Sequence, residues 1–429
     1  MTRRQWLSLG GWWAARAGLP APDIALAIAE TNLELAPRKV VKTLAYNGQA
    51  PGPLLRAKEG QTITVEVQND STESDMVHWH GFHIPAEVDG AHEEGTPHVP
   101  PHESRRYTFT ARPAGTRWYH SHGHAGHNLR RNTYSGQFGM FIVTPKDEAG
   151  QYDLEVPLIL HEWDASFTDE MDVAYKLYSI NGKMLGAGEP IRVRRGQRVL
   201  FRVLNASATL THRLALPGHR FQAIAMDGNP VPSPKTVPVL ELGPAERVDA
   251  VVEMAQAGVW ILGETRDGQR AAGMGIVVEY AGESGAPRWV PAVPFVWDYT
   301  IFGSGGAPAA SAADGRFPLA IKQSGHKFTV NGKSFPYTDP LLVSPNRRYR
   351  LIFDNQTADA HPMHLHRHRF EIVRVGEKAT AGLWKDTVVV PGWREVEVEV
   401  VAANPGPTLM HCHQQLHMDE GFMMMMQYA

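Results

Sequence analysis

A chain of 429 residues with one cysteine, Cys412, can form no internal disulfide, so its stability has to come from packed cores. No apolar run approaches the roughly eighteen residues of a membrane span, and none is expected. A formal charge of −3 and the lack of any basic block remove the electrostatic case for nucleic acid. Helical periodicity is scarce throughout. Length predicts roughly two to four domains, and an apolar fraction of 43% is ordinary for a chain that buries large cores. What the sequence has in excess is histidine, 21 residues, most of them in four short clusters. The lone thiol sits inside one of these, between two histidines in "HCH". A single cysteine is most often a small buried apolar residue. Its neighbours decide between that reading and a chemical one.

The chain opens "MTRRQWLSLGGWWAARAG", where Arg3 and Arg4 precede Trp6, Leu7 and Leu9 in a pattern resembling a twin-arginine export signal, although Arg16 interrupts the apolar region. A periplasmic or secreted location is expected on that ground. The other reading of residues 1–25 is a disordered terminus.

Three segments share one pattern. Each has Asn-Gly near its start (Asn47, Asn181, Asn331), then alternating apolar residues such as Ile63, Val65 and Val67 or Val199, Phe201 and Val203, then a closing Asn (Asn69, Asn205, Asn355). Alternation with period two between turn residues is the mark of strands, so the repeated unit is a β-sandwich. The expected fold is all-β, with three consecutive sandwich domains at residues 26–147, 148–285 and 286–429, the last including a linker. Boundaries are expected near Pro145 to Gln151 and within the Gly, Ala and Pro-rich stretch from Ala281 to Arg316. There "WVPAVPFVWDYTIF" is read as an edge strand or a covering segment.

Four His-x-His pairs stand out: His78 and His80, His120 and His122, His364 and His366, His411 and His413. On a strand, residues two apart face the same way, so each pair offers two imidazoles to one side. By the same parity Cys412 points away from whatever His411 and His413 bind, and His361, three before His364, also faces away from its pair. A second centre is therefore implied, built from His361, Cys412 and the nearby His417, and two histidines with one thiolate suit a blue-copper electron-transfer site. The other eight histidines favour copper or zinc, and three coppers fit their number. Half come from the first repeat and half from the third, which places that cluster between those domains with the middle domain as a spacer. The remaining histidines, His83, His92, His98, His102, His124, His127, His161, His212, His219, His326 and His368, are read as solvated or as packed behind the ligands.

"HWHG", "WYHSH", "HPMHLHRH" and "HCHQQLHMDEGF", in that order, resemble the four copper motifs of the three-domain multicopper oxidases of the laccase-like branch, and the resemblance runs from about residue 38 to 429. It implies cupredoxin-like Greek-key domains and four coppers. His361, Cys412 and His417 would hold the type 1 copper, and His78 and His364 the type 2. One type 3 copper would fall to His80, His120 and His413, its partner to His122, His366 and His411. The implied activity is one-electron oxidation of a small aromatic substrate, a phenol or aromatic amine, near His417, with dioxygen reduced to water. The resemblance also allows a metallo-oxidase of cuprous, ferrous or manganous ions and a scaffold that has lost copper.

Asp89 in "HIPAEVDG" resembles the family's acidic residue near the type 2 copper and is expected to relay protons or orient a ligand, the alternative being a turn Asp before Gly90. The sequence departs from relatives at two places. Met418 stands where some bacterial relatives have a glutamate after the last type 1 histidine, and Phe422 stands where many have the weak axial methionine. Met423 to Met426 are expected to send alternate side chains into the core of a final strand.

Overall fold

Each Asn-Gly pair closes a tight hairpin turn with both residues at positive φ: 53° and 69° at Asn47-Gly48, 53° and 70° at Asn181-Gly182, 51° and 80° at Asn331-Gly332. This is the two-residue turn that matches strand twist, and Asn-Gly is its favoured sequence. The asparagine side chains repeat the same bonds. Asn47 accepts from Ala27 N and donates to Ala25 O, Asn181 uses Ile159 N and Pro157 O, and Asn331 uses Ala320 N and Pro318 O. The closing asparagines also match. Asn69, Asn205 and Asn355 each donate through Nδ2 to two or more backbone carbonyls and accept from a backbone N–H two residues on, which pins the loop leading into the next strand.

The computed structural model describes residues 20–146, 152–170, 172–304 and 313–429; the Arg3–Arg4 export pattern lies outside them. The fold is three consecutive cupredoxin-like β-sandwiches. The first packs a four-stranded sheet holding Ile24–Ala36, Lys39–Tyr46, Thr62–Asn69 and Ser104–Thr110 against a four-stranded sheet ordered Leu55–Lys58, Phe138–Thr144, Gly115–Ser121, Val77–His80. The middle and third sandwiches each pair a six-stranded with a five-stranded sheet, in matching strand order. The five-stranded sheet of the middle domain runs Ile191–Val193, Gly275–Tyr280, Val259–Glu264, His212–Ala215, Leu240–Leu242. Its counterpart runs Leu341–Val343, Met423–Tyr428, Thr408–Cys412, His361–Leu365, Thr387–Val390.

The last strand alternates as expected. Met424 and Met426 enter the main core with Phe422, while Met423 packs on the other side with Ala91, Leu409 and Met418. The segment "WVPAVPFVWDYTIF" forms no strand after all. Its two prolines remove ladder donors, and it runs over the surface with Val290, Val293 and Val296 exposed, then ends in a 3₁₀ turn, Tyr299–Phe302, that buries Tyr299 and Phe302. Several histidines read as solvated or as packed behind the ligands are instead buried parts of the domain cores. His212 lies between Glu162 and Glu264, His161 Nδ1 hydrogen-bonds to Ala206 O, and His219 contacts the Tyr280 hydroxyl. Carboxylates hold both nitrogens of His212, the Pro217 carbonyl and the Tyr280 hydroxyl hold His219, and His161 is anchored through Nδ1 alone, its Nε2 buried without a partner among the described residues. Sequence position alone does not display such partners.

Candidate metal centres

The eight histidines of the four pairs converge at the meeting of the first and third domains. In the first, the antiparallel pairing of Val77–His80 with Gly115–Ser121 sets His78 opposite His120. In the third, His364 stands opposite His411. The rings of His78 and His366 stack across the domain boundary at 4.0 Å, and those of His80 and His364 at 3.8 Å. None of the eight is more than 5% exposed.

Hydrogen bonding divides most of these rings into an anchored and a free nitrogen. Nδ1 of His120 bonds Ser121 O, that of His364 bonds Asp386 O and that of His411 bonds Cys412 O, all at 2.8 to 2.9 Å. His78 Nδ1 lies 3.0 Å from Asp89 O and 3.1 Å from its Oδ2. His80 is inverted: its Nε2 lies 3.1 Å from Asp386 Oδ1. Nε2 of His78, His120, His122 and His364, Nδ1 of His80 and both nitrogens of His413 are buried with no hydrogen-bond partner among the described residues. Nε2 of His366 faces Nε2 of His411 at 3.0 Å while the Nδ1 of each is committed to an oxygen acceptor. Two inward lone pairs at that distance call for a cation. Burial, and then neighbouring imidazoles, hold His80, His122 and His366 well below the ordinary histidine range, so the rings are neutral and free to ligate.

The second set lies on the far side of the His411–His413 strand. Cys412 Sγ is 3.9 Å from His361 Nδ1 and 3.6 Å from His417 Nδ1, and the two nitrogens are 3.1 Å apart. His361 enters from strand His361–Leu365 with its Nε2 2.8 Å from Thr357 Oγ1. His417 is returned to the thiol by a single helical turn, Gln415–Asp419. Asp419 tethers that turn by accepting from Ala125 N and Gly126 N of the first domain. Burial lowers His361 to about 3 and pushes the Cys412 thiol up, so two neutral imidazoles surround a thiol that would ionise only beside a positive ion. Two nitrogens and a sulfur in a triangle are the donor set of a blue-copper site. Phe422 covers this set, its ring centroid 5.0 Å from that of His361, with Cys412 N donating to its carbonyl.

Asp89 is buried in the turn Ala86–Asp89, with Oδ2 2.9 Å from His366 Nδ1 as well as beside His78. Sequence reasoning missed three partners. Glu94 is buried 3.6 Å from His366 Nδ1 and accepts from Leu409 N; burial, reinforced by the Asp89 charge, pushes its carboxyl well above the usual range. Asp386 sits between His80 and His364, and Arg247 of the middle domain grips it. Burial alone would raise Asp386, but the Arg247 charge and hydrogen bonds hold it below the carboxylate range. Arg247 and Asp386 belong to "LGPAERVDAVVE" and "WKDTVVVPG", motifs whose residues carry no local sign of their meeting. The middle domain is therefore more than a spacer.

A cleft of about 650 Å³ opens beside His417, walled by Phe328 and Leu416 and rimmed by Glu170, Asp172, Asp359 and Glu420, with His127 and His326 at its edge. Among the described residues no helix is long and apolar enough to cross a membrane.

Multicopper oxidase family models match residues 27–148, 164–279 and 312–429. The multicopper oxidase MmcO of Mycobacterium tuberculosis is 30% identical, over 91% of this chain and 84% of its own length. A laccase of Trametes maxima is 26% identical, over 94% and 92%. A solved multi-copper oxidase from Pseudomonas thermotolerans superposes with a TM-score of 0.77 at 25% identity, covering 94% of this chain and 98% of that one. Eight convergent buried imidazoles, a thiol between two more, and this likeness along nearly the whole chain agree: the protein belongs to the multicopper oxidase family, copper-dependent oxidoreductases with four coppers and dioxygen as acceptor.

Proposed function

We propose that this oxidase is a laccase that takes electrons from phenols or aromatic amines in the cleft beside His417. The observation that carries the reading is that cleft, whose volume of about 650 Å³ and Phe328 and Leu416 walls suit an aromatic ring. His361, Cys412 and His417 hold the type 1 copper, His78 and His364 the type 2, and the sets His80, His120, His413 and His122, His366, His411 the two type 3 ions. Bound copper supplies one-electron transfer at the first site and reduction of dioxygen to water at the cluster. Cys412 is bonded through the backbone to His411 and His413, which gives an electron a short covalent path between the sites. Asp89, touching His78 and His366, orients both rings and is placed to pass protons inward. Export, expected from Arg3 and Arg4, belongs to the same proposal.

A metallo-oxidase of cuprous, ferrous or manganous ions is the second reading, favoured by the four carboxylates on the cleft rim. Those carboxylates equally favour neutral aromatic amines and phenols over anionic substrates. Steady-state kcat/KM on a substituted phenol and an aromatic amine, set beside Cu(I), Fe(II) and Mn(II), separates the two. The laccase reading expects the aromatic substrates to win; faster turnover of a metal ion overturns it.

A further inference from the structure

The middle domain contributes no histidine to the cluster, yet one of its side chains reaches the cluster's supports. Arg247 is fully buried and binds Asp386 of the third domain with two parallel bonds, Nη1 to Oδ1 at 2.7 Å and Nη2 to Oδ2 at 2.6 Å. Its Nε also donates to Thr116 O of the first domain at 3.2 Å, so one guanidinium joins all three domains. Asp386 passes this anchoring on in two directions. Its carboxylate takes Nε2 of His80, a first-domain residue, and its backbone carbonyl takes Nδ1 of His364, its own domain's residue.

The two contacts select opposite tautomers. An acceptor at His80 Nε2 puts the proton there and leaves Nδ1 as the free lone pair, whereas an acceptor at His364 Nδ1 frees Nε2. The orphaned nitrogens are those two, His80 Nδ1 and His364 Nε2. The sequence makes room for the arrangement. Gly81 of "HWHG", at φ 84°, stands where a Cβ would come within 2.8 Å of both Arg247 Nη2 and Asp386 Oδ2. Asp227 of the middle domain steadies the same strand by accepting from Asp386 N and Thr387 N at 3.2 and 3.1 Å.

We propose that Arg247 is a positioning residue through which the middle domain, acting on Asp386, sets the tautomer and orientation of His80 and His364 and so assembles the copper cluster. The inference rests on the assignment of those two histidines as copper ligands. A domain without a ligand thereby controls whether the other two domains form one site. The Arg247 fork matters as much as its charge, since a planar guanidinium holds a carboxylate in one orientation and an ammonium does not.

The test is copper per chain, the blue thiolate band and the near-ultraviolet band of the coupled copper pair, measured in Arg247→Met, Arg247→Lys and Asp249→Asn. Arg247→Met is expected to keep the blue band per chain while cluster copper affinity and dioxygen reduction fall about 10- to 100-fold. Arg247→Lys should recover part of that loss. Asp249→Asn disturbs the adjacent buried Arg202–Asp249 pair, 2.8 Å long, without touching a histidine, and should match wild type in both bands. If Arg247→Met does not fold, Arg247→Lys decides: loss confined to the near-ultraviolet band supports the inference, and parallel loss of both bands overturns it. Full cluster copper in Arg247→Met, or equal damage from Asp249→Asn, also overturns it. Absence of cluster copper from the wild-type protein would instead remove the ligand assignment beneath it.

Discussion

The middle and third domains place different chemistry on one framework. Leu214 pairs with Glu264 as Met363 pairs with Cys412, so His212 and Glu264 occupy the places of His361 and Cys412. In the middle domain His212 Nδ1 is 3.0 Å from Glu264 Oε2 and its Nε2 contacts Glu162. Burial would lower this histidine, but the two carboxylates raise it to about 9, while Glu264 is held down at about 2. Every charge there has a partner. In the third domain burial takes His361 to about 3 and raises the thiol, and neither group has a carboxylate hydrogen-bond partner among the described residues. The same two positions are thus an internally satisfied ion cluster in one domain and an open donor set in the other. The buried imidazole meets two carboxylates in the first case and a thiol and a second imidazole in the other.

The largest effect should come from breaking the satisfied side. His212→Ala strands Glu162 as a buried charge and is expected to cost about 3 to 5 kcal/mol. A shift of the denaturant midpoint measures this, with the blue band per folded chain unchanged. A loss of the blue band alone would show that the two clusters are not separate in role.

On the open side, Asp89→Asn keeps a hydrogen-bonding group beside His78 and His366 but cannot carry a proton. Dioxygen reduction should slow about 10- to 100-fold, more than reduction of the type 1 copper by substrate. Stopped-flow measurement of the two half-reactions checks it; equal slowing would make Asp89 a general structural residue.

The pH dependence of stability sharpens the contrast. Because His212 is raised above its ordinary 6.5 in the folded state, its contribution is whole below 6.5 and is lost as pH rises through about 9. Glu264 is lowered, so its contribution is present above 4.5 and is lost as pH falls toward about 2. The cluster therefore stabilises most between about 4.5 and 6.5. Chemical denaturation at pH 6 and pH 9.5 should show a drop in wild type that His212→Ala largely removes; an unchanged drop would assign it to other groups.

The smallest effect is a change of potential. Phe422 lies against His361, whereas Met423 packs with Ala91 and Leu409 on the opposite face. Phe422→Met should lower the type 1 potential by offering a sulfur donor, and Met423→Leu should leave it nearly unchanged. Redox titration of the blue band decides, and the reverse pattern would mean that Met423 is the axial neighbour.

What was legible in the sequence was what is local. The Asn-Gly turns, the period-two strands and the His-x-His pairs each lie within a few residues, and parity alone separates Cys412 from its flanking histidines. The partners of those histidines were not legible, because Asp386 and His80 are 306 residues apart and Arg247 and Asp386 139. Strand register and domain docking bring them together, and neither leaves a periodic trace. His212 was misread for the same reason: Glu162 and Glu264 stand 50 and 52 residues away, on other strands.

On the proposed assignment, the strand carrying Cys412 serves two separate copper centres from its opposite faces. Copper per chain, measured together with the blue band in Cys412→Ser, tests it most directly. The expected result is loss of the blue band and of one of the four coppers, with the cluster's near-ultraviolet band retained. A variant that stays blue, or that loses all its copper at once, would contradict it.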